Sequence, residues 1–153
     1  MCIRDSGKLE EIAKLRGMDP TKLEELNLKY YSINDKSLAE DLTGLSPFVN
    51  LRSLRGSRSS LKSLNGVSGF KNLRAIELES DSLEDISELP RVTTLESLKL
   101  GDRSGQELPI GDLAALPLLN SLDFGRHRVV DPQSLLKFRP DTVIKAKALG
   151  TSL

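Results

Sequence analysis

The sequence predicts an α/β solenoid, a right-handed coil of short units with a parallel β-sheet on its concave side and 3₁₀ turns or short helices on its convex side. Three observations predict it. The pattern Leu-x-x-Leu-x-Leu recurs along the chain, apolar residues follow each copy at every third position, and prolines fall shortly before the next copy. Recurrence at a near-fixed period marks stacked units, none of which can cover its own apolar side.

The pattern stands at Leu23, Leu26 and Leu28, and at Leu51 and Leu54 with Gly56 in third place. It returns at Leu73, Ile76 and Leu78, at Leu95, Leu98 and Leu100, and at Leu119, Leu122 and Phe124. The five starts (23, 51, 73, 95 and 119) lie 28, 22, 22 and 24 residues apart. Alternate side chains of a strand point to opposite faces, so the second and third apolar residues of each copy enter the core.

The spacing of three that follows suits a 3₁₀ turn, where residues three apart share one side. It reads Leu61, Leu64, Val67 and Phe70, then Leu83, Ile86, Leu89 and Val92, and in the fifth unit Val129, Pro132, Leu135 and Phe138. The longer units return to register at Leu42, Leu45 and Phe48 after six extra residues, and at Ile110, Leu113 and Leu116 after two. Pro47, Pro90, Pro117 and Pro140 limit each helical piece to a turn or two.

At the ends the pattern degenerates. Residues 143–147 read as a terminal edge strand whose Lys145 and Lys147 discourage edge-to-edge pairing. Residues 8–19, with Leu9, Ile12, Leu15 and Met18 at spacing three, read as an N-terminal helix, either a cap or the helical half of a truncated repeat. Residues 1–7 fit no unit and read as a non-native or disordered start; on that reading the protein continues upstream. The repeat domain is expected over 20–153.

Composition narrows the function. Lys plus Arg and Asp plus Glu balance at 22 each, so no polyanion-binding surface is expected. Cys2 is the only cysteine and His127 the only histidine, which excludes an internal disulfide and a zinc site built from Cys and His. No apolar run has the length of a membrane span, and residues 1–20 lack a signal-peptide core. A cytoplasmic protein is the default expectation, with a cell-surface or secreted one if a leader is missing.

The units resemble the short, 22-residue class of leucine-rich repeat found in phosphatase-regulatory proteins and bacterial internalins. Leu83-Glu84-Asp85-Ile86-Ser87-Glu88-Leu89 is particularly similar to the internalin version. The resemblance spans about residues 9 to 146; it implies the fold and says little about function. In that family an Asn at the ninth position bridges neighbouring turns. Here the ninth positions hold Tyr31, Ser59, Asp81, Arg103 and His127. Ser59 and Asp81 can make part of such a bridge, while Tyr31, Arg103 and His127 are expected to point outward, giving a less regular and less stable stack.

Strand residues facing away from the core form the candidate docking face. The third positions are Glu25, Ser53, Ala75, Ser97 and Ser121, and the fifth are Asn27, Arg55, Glu77, Lys99 and Asp123. The seventh and eighth add Lys29 and Tyr30, Ser57 and Arg58, Glu79 and Ser80, Gly101 and Asp102, and Gly125 and Arg126. The residues expected to meet a protein partner are Glu25, Asn27, Tyr30, Arg55, Arg58, Glu77, Glu79, Lys99, Asp123 and Arg126. The alternating signs at the fifth position allow two readings, a charge mosaic that selects a partner or a self-neutralising ladder that stabilises the sheet. Either reading disfavours nucleic acid.

Catalytic patterns are missing. Cys2 and His127 stand about five units apart, too far for a nucleophile and its base. Glu24, Glu25, Asp81, Glu84 and Asp85 fall on solvated turns and faces rather than in an apolar pocket that would raise a pKa. The loop Gly101-Asp102-Arg103-Ser104-Gly105 lacks the strand–loop–helix setting and the Lys of a phosphate loop. The sequence therefore points to a monomeric, non-catalytic interaction module without metal, cofactor or membrane insertion. The alternative is a repeat segment of a larger bacterial effector, surface or regulatory protein whose active domain lies outside this chain.

Overall fold

A computed structural model describes residues 19–29, 41–59, 61–80, 82–101 and 107–145. The expected helix at 8–19, apart from Asp19, lies outside them, as do residues 1–7, Tyr30, Tyr31, Asp81, Asp102, Arg103 and Lys147. The strands are β1 (Glu25–Lys29), β2 (Ser53–Ser59), β3 (Ala75–Ser80), β4 (Ser97–Gly101), β5 (Glu107–Leu108), β6 (Ser121–Asp123), β7 (Arg128–Val129) and β8 (Val143–Lys145). Six of them form one parallel sheet in the order β1-β2-β3-β4-β6-β8, and β5 pairs with β7 in a second, two-stranded parallel sheet.

Register follows the leucines. Leu26, Leu54, Ile76, Leu98, Leu122 and Ile144 are successive partners across the large sheet. All but the half-buried Ile144 of the terminal strand are fully enclosed. A slip of one residue would carry charged neighbours into the core and these side chains into water, so the burial itself fixes the pairing.

The spacing of three also has a direct backbone cause. The chain forms short 3₁₀ turns at Pro20–Lys22 before β1 and, between later strands, at Thr43–Leu45, Val67–Gly69, Leu89–Arg91, Ile110–Ala115 and Pro132–Lys137. Within the turns, inward residues donate their amides to the carbonyl of the inward residue three before, as in Val67 to Leu64, Phe70 to Val67, Leu89 to Ile86 and Val92 to Leu89. Three residues per turn places these side chains one above another on the core side. Leu42, Leu45 and Phe48, and Ile110, Leu113 and Leu116, are likewise buried, so both insertions leave the interior unchanged.

Polar groups of the turns find partners in a second period. Asp41, Ser63, Asp85 and Asp131 each accept the amide two residues on, from Thr43, Asn65, Ser87 and Gln133, and so start each turn. A bridge between neighbouring units runs just before the strands; of the ninth positions, Tyr31, Asp81, Arg103 and the Ser59 side chain lie outside the described residues. The Asn50 amide donates to the Thr21 carbonyl, Asn72 to the Asn50 side chain, and the Thr94 hydroxyl to the Leu73 carbonyl.

Three expectations fail. His127 was placed on the surface, yet it is 1 % exposed. Gly125 takes a left-handed φ of 56°, which reverses the chain after β6, and the His127 amide closes the turn on the Phe124 carbonyl. Ser80 was placed on the outer face, but it is buried with its hydroxyl donating to the Leu61 carbonyl at 2.7 Å. Pro132, expected in the core, is exposed; it lies in the last described turn, Pro132–Lys137, with no described turn stacked beyond it.

One contact between units joins a carboxylate to a glycine. Glu88 accepts the Gly66 amide at 3.0 Å and the Ser68 hydroxyl at 2.9 Å. Partial burial pushes its pKa up, but the bonds from Ser68 and Gly66 outweigh this and hold it below 4.5. Because the folded pKa is the lower one, this stabilisation is complete above about 4.5 and fades as pH falls through the folded value. Glu88→Gln is therefore expected to flatten the acid limb of an unfolding-versus-pH curve. Gly66 itself has φ 95°, and a Cβ there would stand 2.9 Å from the Thr43 amide nitrogen. Gly66→Ala is expected to cost about 1–3 kcal/mol in denaturant unfolding. Leu98→Ala should cost about 2–5 kcal/mol, whereas Leu136→Ala should change stability by less than about 0.5 kcal/mol, since Leu136 is 86 % exposed.

Candidate protein-docking face

The pairing that buries the leucines sets the opposite face just as firmly. Third positions align as Glu25, Ser53, Ala75, Ser97, Ser121 and Val143, and fifth positions as Asn27, Arg55, Glu77, Lys99, Asp123 and Lys145. Neighbouring parallel strands stand about 4.8 Å apart, so fifth-position side chains on adjacent strands lie close enough to interact. Lys145 and Val143 extend the two rows by one strand. They were legible as an edge strand, but only the register with Asp123 and Ser121 places them on this face.

Ion pairs form along the fifth row. Lys99 Nζ donates to Glu77 Oε1 at 2.6 Å, and Arg55 Nε stands 3.9 Å from Glu77 Oε2. The Lys99 pKa is raised, first by its hydrogen bond to Glu77 and by that carboxylate's charge; burial opposes this, and Asp123 and Glu79 add lesser raising effects. Asp123 accepts the Gly125 amide at 3.0 Å, which ties the row to the turn after β6. The self-neutralising ladder is thus physically present at Arg55, Glu77 and Lys99.

The remaining predicted residues scatter around this row. Glu25 is exposed on β1, and Glu79 is exposed on β3 in register with Gly101. Arg126 is exposed in the turn after β6. The side chain of Arg58 lies outside the described residues, as does Tyr30. Between β1, β2 and β3 the face dips into a hollow of about 180 Å³ lined by Asn27, Arg55, Gly56, Glu77 and Glu79. Among the described residues no group of His, Cys, Asp and Glu is arranged to hold a metal ion. No helix among them is long and apolar enough to cross a membrane.

The Lys99–Glu77 pair is exposed by about half, so its coupling is expected to be small. A double-mutant cycle with Lys99→Met and Glu77→Gln should give about 0.2–1 kcal/mol, falling with added salt. Since the folded pKa of Lys99 is the raised one, this coupling should persist up to the unfolded value of 10.5 and disappear as pH rises through the folded one.

No family model matches the sequence, and no curated protein matches it. Solved structures do. Internalin C2 of Listeria monocytogenes superposes with a TM-score of 0.66 at 20% identity, over 91% of this chain and 56% of that one. An internalin (inlF) of the same organism superposes with a TM-score of 0.51 at 19% identity, over 94% of this chain and 51% of that one. The chain spans about half the length of these internalins. Its parallel sheet, 3₁₀ turns and leucine interior are theirs too: by fold, this chain is a leucine-rich-repeat solenoid.

Proposed function

We propose that this chain is a monomeric, non-catalytic interaction module that docks one protein partner on the outer face of its six-stranded sheet. A single observation carries this reading. The register that buries Leu26, Leu54, Leu98 and Leu122 also assembles short and charged side chains from six strands into one continuous surface. Ser53, Ala75, Ser97 and Ser121 keep it shallow enough for a partner's side chains to approach the charged row. The ion pairs along that row cancel much of its field, which disfavours nucleic acid. The likeness to internalins favours the surface or secreted localisation over the cytoplasmic default.

A second reading makes the chain a repeat segment of a larger effector, surface or regulatory protein. Leu136 and Val130, exposed on the last described unit, and the half-buried Ile144 and Leu135 support it. A longer open reading frame encoding further copies of the same pattern is the result that reading requires.

Docking is tested with photo-reactive residues introduced at Ser97 and Ser121 on the sheet face and at Lys71 on the opposite side. Irradiation in the native host should give one discrete adduct from the two sheet positions and none from Lys71. Adducts from Lys71 alone would move the binding surface elsewhere.

A further inference from the structure

The cations of the charged row are not equivalent. Lys99 is committed to Glu77 at 2.6 Å. Arg55 is held more loosely: its Nε is 3.9 Å from Glu77, an ion pair beyond hydrogen-bond distance, and its side chain is 65 % exposed. Among the described residues the Arg55 guanidinium makes no hydrogen bond, and neither does the amide of its exposed register partner, Asn27. Both groups open onto the hollow that Gly56, Glu77 and Glu79 complete.

The chemistry of that hollow is selective. A guanidinium offers a planar fork of donors that matches a carboxylate, and an adjacent amide N–H supplies one more. Lys99 takes the hydrogen bond of the Glu77 carboxylate and so leaves the Arg55 N–H donors available, although Arg55 and Glu77 remain a loose ion pair. Glu77 and Glu79, which also line the hollow, disfavour a phosphate dianion more than a single carboxylate. At about 180 Å³ the hollow is smaller than the roughly 300 Å³ at which small-molecule pockets begin, a size that suits the end of one side chain.

Resting on the docking reading above, we infer that this hollow is the anchor of the face and takes one carboxylate, an Asp or Glu side chain of the protein partner, on Arg55 and Asn27. Lys99 is a positioning residue that acts through Glu77.

The test is an NMR titration of the ¹⁵N-labelled full chain with the peptide acetyl-Gly-Ser-Asp-Ser-Gly-amide. Saturating shifts are expected at the Arg55 Nε–H and Asn27 Nδ2 resonances. Binding should weaken about tenfold in Arg55→Met, the loss typical of a charge-assisted hydrogen bond. Glu77→Gln should bind at least as tightly as the unaltered chain. Lys99→Met should bind more weakly, and adding Glu77→Gln to it should restore binding, which a Lys99 that contacted the peptide directly would not allow. Inorganic phosphate and the Asn-for-Asp peptide should bind more weakly than the Asp peptide. Equal affinity in Arg55→Met, failure of the double variant to recover, or a preference for phosphate would each overturn the inference. Cross-linking from Ser97 that survives Arg55→Met would remove the anchor and leave docking intact. Arg55-dependent peptide binding without any Ser97 adduct would do the reverse.

Discussion

The interaction on which everything else rests is side-by-side contact between leucines on neighbouring parallel strands. A unit of about two dozen residues has too little chain to wrap its own apolar side, so each unit is stable only against the next. Leu54, Ile76, Leu98 and Leu122 meet on consecutive strands and are lost to water together. That contact allows one register, and the register in turn decides which side chains share the outer face. The charged row and the hollow at Arg55 are consequences of the core, not additions to it.

A core of this kind obliges the backbone to satisfy itself in tight curves. It does so in three repeating ways. The Glu24, Arg52, Arg74 and Glu96 carbonyls each accept two consecutive amides from the next unit. Inward residues link to one another at three-residue intervals, and Asp41, Ser63, Asp85 and Asp131 open the turns. Asn50, Asn72 and Thr94 then bridge neighbouring units just ahead of the strands. These bonds explain how the stack forms although His127, at a family Asn position, is buried instead.

Much of the fold was legible because apolar spacing encodes it. Leucines two apart mark a strand and residues three apart mark the turns, and an insertion merely delays the pattern, as at Leu42 and Ile110. Where the outcome depends on a backbone angle, spacing is silent. Gly125 reverses the chain and takes His127 inward. Ser80, by contrast, follows the alternation of β3 itself, two residues after the buried Leu78, and reaches the Leu61 carbonyl from there. The pairing of β5 with β7 was likewise unmarked. The turn-opening Asp and Ser residues did carry a signal, ten positions before each following strand motif, that leucine counting passes over. At the candidate site, the sequence shows alternating charge but no distances, so it cannot separate Lys99, hydrogen-bonded to Glu77, from Arg55, which pairs with it only loosely.

The shared register is open to direct measurement. Cysteines at Ser97 and Ser121, introduced together with Cys2→Ser, would lie on adjacent partners of β4 and β6, with Cα atoms within the roughly 4.4–6.8 Å that a disulfide requires. Mild oxidation should close this pair quickly and leave the offset pair at Ser97 and Asp123 largely reduced. Rapid closure of the offset pair, with Ser97 and Ser121 remaining apart, would contradict the stacking of leucines from which the rest is built.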